Sequence, residues 1–299
     1  MSAAADVAVL VSPAAGRGRG GTLATGVLAA FRQAGFAPEV LPATTGAGAE
    51  EQARKAVANG TRAVVAVGGD GTVHAALQAV AGTSTPLAVI PAGTGNDLVR
   101  ALGAPVDPAA AARAAAEDLA AGTTRAVDAG RTGDRWWATV LCCGFDSAVS
   151  DRANRMRWPR GRRRYDVAVL AELARLRPRE LTLVLNGVAQ TLPVTMVAVG
   201  NTAWYGGGMK ICPGADSSDG LFDVTVVGAT SRLNLMRTKP LLMTGAHVDH
   251  PSVAVFRAAR VELDSPGLTT YADGEPVAPL PAVAECVPGA LTVIGTGRT

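Results

Sequence analysis

Gly68-Gly69-Asp70-Gly71-Thr72 stands between an apolar run and a helix-forming stretch. Glycines let main-chain N–H groups approach phosphate oxygens, because no Cβ stands in the way. A following helix adds free N–H donors and a favourable dipole, and Thr72 adds a hydroxyl. Asp70 is out of place beside a bare phosphate. It makes sense as the partner of an intervening Mg²⁺ or as a proton acceptor. The plain alternative is a tight turn with a helix-capping Asp. Pro91-Ala92-Gly93-Thr94-Gly95-Asn96-Asp97 occupies the equivalent place after the next apolar run. Thr94 there suits phosphate or ribose, and Asn96 and Asp97 suit either a ligand or a helix cap. No Lys follows the glycines and no GxGxxG is present, so metal and main chain must carry the phosphate charge.

Two acidic motifs come later. If Tyr271–Glu275 is extended, Asp273 and Glu275 point to one side. Their mutual repulsion then favours a proton on one of them, which suits a general base; the alternative is a hairpin turn at Asp273-Gly274. Asp216-Ser217-Ser218-Asp219-Gly220-Leu221 offers oxygens to a hard cation, or is an ordinary polar turn.

The elements that must position these residues alternate regularly. Apolar runs at 6–11, 37–43, 63–69 and 86–92 predict strands, and 22–34, 49–58, 73–81, 96–102 and 107–121 predict helices. Strands apolar throughout imply a parallel sheet covered on both faces. Ligands bind such sheets at the carboxyl ends of the strands, where the Gly- and Thr-rich loops fall. From about Thr123 short alternating stretches predict an antiparallel β domain, interrupted by a basic helical segment at 151–177. We place an α/β domain at 1–124 and a β domain at 125–289. The final strand, ALTVIG, pairs either within the second domain or back on the first, so the tail at about 290–299 belongs to one or the other.

Hydrophobic residues make up 48% of the 299-residue chain and charged residues 18%, which excludes a disordered chain. The four cysteines, Cys142, Cys143, Cys212 and Cys286, lack CxxC spacing and read as buried, reduced thiols. No signal peptide and no run of ~18 apolar residues is present, so the expected location is cytoplasmic. Seven arginines fall in 152–164, with Met156 and Trp158 among them. That segment reads as a solvated helix face or as a peripheral contact with anionic headgroups at the inner membrane surface. No module for reading nucleic acid accompanies it.

GGDGT, PAGTGNDLVR, MKICPGADSSDGLFDV and DGEP, in that order, resemble the diacylglycerol kinase catalytic-domain family, and more narrowly its stand-alone bacterial lipid kinases. NAD kinases and phosphofructokinases share only the GGDG element. The resemblance spans residues 12–276 and implies a nucleotide-binding parallel-sheet domain, a C-terminal antiparallel β-sandwich for the lipid substrate, and an active site between them. It implies ATP contacts at Ser12, Pro13, Gly16, Thr44, Gly68, Gly69, Asp70, Gly71, Thr72, Thr94 and Asn96. Glu275 is the implied proton acceptor and Asp273 the organiser of metal or water, with swapped roles as the alternative. A structural Mg²⁺ is implied at Asp216, Asp219 and Leu221, and a phosphate-bridging Mg²⁺ at Asp70. The chain departs from the family at Ser12, where Asn is usual, and at Ala75, where Glu is usual after an Asn or His, here His74.

The expected function is ATP-dependent transfer of the γ-phosphate to a lipid hydroxyl such as that of diacylglycerol. The alternatives are an NAD kinase-like or other small-alcohol kinase, and a catalytically weak nucleotide- or lipid-binding regulator, which Ser12 and Ala75 motivate. An oligomer is compatible with the sequence.

Overall fold

The computed structural model describes residues 6–12, 15, 20–43, 45–156, 158–159 and 162–295. Among the expected site residues, Pro13, Gly16 and Thr44 lie outside these, as do Arg157 and Arg160 of the basic segment. The chain divides into two compact units, 1–129 with 288–299, and 130–287.

In the first unit β1 (Val7–Val11), β2 (Pro38–Val40), β3 (Ala63–Gly68) and β4 (Leu87–Pro91) alternate with α1 (Gly20–Gln33), α2 (Gly46–Ala58), α3 (Asp70–Val80), α4 (Asp97–Ala101) and α5 (Pro108–Ala120). The strands pair in parallel in the order β2-β1-β3-β4. β3 and β4 are buried along their whole length, as strands covered on both faces must be. Val7, Val9, Val65 and Ile90 pack against Val27 and Phe31 of α1 and the alanine face of α5. The alternate residues Ala8, Leu10, Val64 and Ala66, equally buried, face the other way. There α2 and α3 pack on each other and on the strands. Local chemistry sets the helix ends. The side chains of Thr45 and Asp107 cap α2 and α5 by accepting from Gly48 N and Ala110 N.

β5 (Thr124–Thr132) carries the chain into the second unit, which contains β6 (Arg135–Trp137), β7 (Val140–Gly144), α6 (Phe145–Arg155), α7 (Arg162–Ala174), β8 (Arg179–Leu185), β9 (Val188–Gly200), β10 (Trp204–Tyr205), β11 (Met209–Lys210), β12 (Phe222–Gly228), α8 (Arg232–Thr238), β13 (Val253–Ala258), β14 (Arg260–Asp264), β15 (Thr269–Ala272) and β16 (Glu275–Pro279). The basic helical segment therefore starts at Phe145, earlier than its arginines suggest.

Pairing here is antiparallel. The 13-residue β9 pairs with β8 through its first half and with β7 and β12 through its second. The inward residues of β7, β8, β9, β12 and β14 enclose one core with Trp137 at its centre. Trp137 stacks on Phe222 at 4.9 Å and donates its indole N–H to Thr132 Oγ1 at 3.1 Å. Gly130 faces that ring, and a Cβ there would stand 2.2 Å from it, so only glycine fits. The opposite residues of β7 and β9, Val140, Cys142, Met196 and Ala198, form a second cluster with Ile211 and Cys212. All four cysteines are buried and none is in a disulfide.

In the last strand, β17 (Ala282–Ile294), ALTVIG pairs back on the first unit, and the pairing with the second falls on the residues before it. The strand's first residues pair with β14 in the second unit, and Val293 pairs in parallel with Leu87 in the first. No helix among the described residues is long and apolar enough to cross a membrane.

Candidate active site

The loops after β3 and β4 touch through their main chains. A Cβ on Gly93 would stand 2.4 Å from the Cα of Gly69, and a Cβ on Gly68 would stand 2.2 Å from Thr72 Oγ1. Gly93 is therefore required by loop-to-loop contact and Gly68 by the side chain of Thr72, apart from any approach of phosphate. Ala92 N donates to Gly68 O at 2.9 Å, continuing the β3–β4 ladder into the loops. Helix α3 begins at Asp70, so Asp70-Gly71-Thr72 forms its first turn, where a loop reaching to about residue 73 was expected.

Asp70 is held from behind. Its Oδ1 accepts from Asp97 N at 3.3 Å, and Gly95 leaves room for Oδ2, which would lie 2.1 Å from a Cβ at that position. Asn96 takes a left-handed backbone, φ +57°, which Asn tolerates better than most residues. Its side chain neither caps α4 nor projects outward. Instead it closes its own loop, accepting from Gly93 N at 3.3 Å and donating to Gly93 O at 3.1 Å. Buried Asp97 pairs with Arg100, which also donates to Gly95 O at 2.7 Å. Thr94 and Gly71 are exposed, and Ser12 N donates to Val67 O where β1 leaves the sheet. His74 is buried beside Gln78, and Ala75 is 5% exposed.

In the second unit Asp273 and Glu275 do not share an extended segment. Asp273 and Gly274 have φ of +53° and +84°, making the two-residue turn between β15 and β16. Tyr271–Glu275 is therefore a hairpin turn, the alternative to an extended segment, and alternation does not align the two carboxylates. Asp273 accepts from Ala138 N and Thr139 N, each at 3.2 Å, and from Thr139 Oγ1 at 2.5 Å. Asn201 supports the same segment, donating from Nδ2 to Ala138 O at 2.9 Å and from its main chain to Thr139 O.

Helix α6 clamps the hairpin from another side. Tyr271 O–H donates to Asp151 at 3.0 Å, and Asn154 Nδ2 donates to Gly274 O at 3.3 Å. Burial first, then the bond to Asp151, push the Tyr271 hydroxyl up to about 12, so it stays a donor. Glu275, at the start of β16, is exposed. Asp146 of α6 accepts from Tyr205 O–H at 2.9 Å, and burial pushes its carboxyl up to about 6. Nothing in the sequence marks these partners, because they lie tens of residues apart.

The 216–221 loop is internally bonded. Asp216 accepts from Ser218 N and Oγ, and Asp219 accepts from Leu221 N at 3.0 Å. Arg257 bonds both Asp219 and Asp223. No cluster of three or more acidic, His or Cys side chains suited to a metal occurs among the described residues. Mg²⁺ takes one or two carboxylates and completes its shell with water and phosphate oxygens. The hard-oxygen set at Asp70 fits such an ion. The 216–221 set also fits, provided Asp219 is shared with Arg257.

The arginine-rich segment is less free than its composition suggests, since Arg152 is bonded to Glu172 and Arg155 to Asp151. A recess of about 370 Å³ between α6 and α7 is lined by Ala148, Asp151, Arg152, Arg155, Met156 and Glu172.

A parallel-sheet unit with two glycine loops at adjacent strand ends, and a β-sandwich unit with a fixed acidic hairpin, define a two-part kinase architecture. Residues 6–132 match the diacylglycerol kinase catalytic domain, and residues 139–295 match the YegS C-terminal NAD kinase beta sandwich-like domain. A diacylglycerol kinase of Mycobacterium tuberculosis (strain ATCC 25618 / H37Rv) is 45% identical over 294 residues, covering 96% of this chain and 94% of its own. A diacylglycerol kinase of Bacillus subtilis (strain 168) is 26% identical, covering 83% and 82%. A crystal structure of a diacylglycerol kinase from Bacillus anthracis str. Sterne shares the fold, with a TM-score of 0.79 at 21% identity and 99% of each chain covered. The chain belongs to the bacterial diacylglycerol kinase and YegS-like lipid kinase family, whose members are phosphotransferases.

Proposed function

We propose that this chain phosphorylates the hydroxyl of a membrane lipid alcohol, diacylglycerol or a close relative, with ATP as donor. The observation that carries the reading is Asp70, set on the first turn of α3 beside the touching glycine loops and fixed by the Asp97 amide. Main-chain N–H groups of Gly68–Thr72, with the hydroxyls of Ser12, Thr72 and Thr94, bind the nucleotide's phosphates and ribose. The resemblance to the family adds Pro13, Gly16 and Thr44 to the proposed nucleotide contacts, and Asn96 acts by shaping the second loop. Mg²⁺ bound at Asp70 would supply neutralising charge to the phosphates.

In the second unit Glu275 accepts the proton of the lipid hydroxyl. The hydroxyl oxygen bonds to the γ-phosphorus as the bond to the β,γ-bridging oxygen breaks, releasing ADP. Asp273, Tyr271 and Asn154 hold the hairpin that carries Glu275. Asp216, Asp219 and the carbonyl of Leu221 are the proposed ligands of a second, structural Mg²⁺. Trp158, 82% exposed, and arginines of the Arg152–Arg164 segment provide peripheral contact with the bilayer.

An assay with γ-labelled ATP against a panel of lipid alcohols and NAD tests the reading. Label in a lipid product is expected. Transfer to NAD alone would refute the lipid assignment, and ATP binding without transfer would favour a regulator.

A further inference from the structure

A helix in a folded unit normally buries one apolar stripe. α8 buries none of its residues, and neither does the 3₁₀ turn Lys239–Met243 that follows it. Leu233, Met236 and Met243 are 55%, 56% and 58% exposed, and Leu241 is 37% exposed. Ser231 caps the helix by accepting from Asn234 N at 3.2 Å, so the segment is built as structure rather than as loose chain. Four large apolar side chains close together on a surface call for an occupant.

The charge around them names its chemistry. Arg232, Arg237 and Lys239 lie within the segment, and no Asp or Glu occurs between Asp223 and Asp249. A second copy of the same patch would set these cations against their own counterparts. An anionic lipid surface complements them and takes the apolar side chains as well. The placement agrees. Leu242 packs with Phe145 and Tyr205 on the cluster formed by Val140, Cys142, Met196 and Ala198. The segment thus covers the same face of β7 and β9 as the start of α6, the helix that leads into the arginine segment.

We propose that residues 231–243 are a membrane-insertion surface. Leu233, Met236, Leu241 and Met243 enter the interface of an anionic bilayer while Arg232, Arg237 and Lys239 engage its headgroups. This deepens the lipid-kinase reading and rests on it for the choice of a bilayer over a protein partner.

The test is co-sedimentation of the full chain with vesicles of phosphatidylcholine, with and without phosphatidylglycerol, compared with a Leu233→Asp/Met236→Asp double variant. Val188→Asp, at another highly exposed apolar position, is the control. Binding is expected only with phosphatidylglycerol, weakened about tenfold or more in the double variant and unchanged in the control. Thermal melts check that both variants fold. Equal binding by wild type and double variant overturns the proposal, as does equal binding to neutral vesicles or an equal loss in Val188→Asp. A wild-type dimer that ignores vesicles and dissociates in the double variant overturns it in favour of an interface between copies. Phosphorylation of water-dispersed dioctanoylglycerol separates the two readings. Wild type and double variant should be equally active on it, whereas an inactive wild type that still binds vesicles defeats the kinase reading alone.

Discussion

Three donors converge on the Asp273 carboxylate, from Ala138 and Thr139. A carboxylate so engaged is poorly placed to take a proton, whereas Glu275, exposed two residues later, is open to a substrate. Glu275→Gln should lower kcat by roughly 10²–10⁴-fold with an unchanged melting temperature, the signature of a lost general base. A fall of less than tenfold would move the role elsewhere. Asp273→Asn should behave differently, losing about 1.5–3 kcal/mol of stability along with activity, because charge-assisted bonds are weakened. Denaturant melts read the difference. Gly95→Ala places a methyl against Asp70, so nucleotide affinity should drop, with about 1–3 kcal/mol of strain. Isothermal titration with an ATP analogue checks it. The types of these residues were legible in the sequence, but the turn that carries them and the partners of Asp273 were not. A turn with positive φ at Asp273 reverses what simple alternation implies, and its partners lie more than a hundred residues away.

The βα alternation of the first unit was legible because fully buried parallel strands read as unbroken apolar runs. The onset of α6 was hidden, since the Val140–Gly144 strand runs directly into the helix, its last residue Gly144 serving as the N-cap. That helix bears Asp146, whose bond to Tyr205 ties it to the β10–β11 hairpin. Burial raises the Asp146 carboxyl to about 6, above its unfolded value of 3.8, so the fold favours the protonated form. Its stabilising contribution is full below about pH 3.8 and is lost as pH rises through 6. The stability of Asp146→Asn relative to wild type should therefore grow between pH 4 and pH 7, as followed by thermal melts at each pH. A pH-independent difference would contradict the assignment. The 216–221 loop makes its own prediction. Mg²⁺ should raise the melting temperature of the wild type and leave that of Asp216→Asn unmoved.

At the scale of the molecule, family membership was legible from the order of the motifs, each tied to a strand end or a turn. The closing strand was undecided in sequence because it serves twice, its first residues on β14 and Val293 on β4. Within the first unit Gly289 N donates to Asp128 at 2.8 Å, Gly295 N donates to Thr123 O at 3.0 Å, and Leu291 and Val293 are buried. Truncation after Val287 should destabilise that unit by several kcal/mol and abolish ATP-analogue binding, since two fully buried side chains and an edge strand are lost. Retained binding would show the segment to be dispensable.

That arrangement bears on how the chain is made. A ribosome synthesises residues 1–129 first, yet the edge strand that completes their sheet emerges only after 130–287 have left the exit tunnel. The parallel-sheet half thus waits, with the β4 edge uncovered, while the sandwich encoded between its two pieces is already free to fold. Residues 288–295 must follow before the parallel sheet of the first unit gains its last strand.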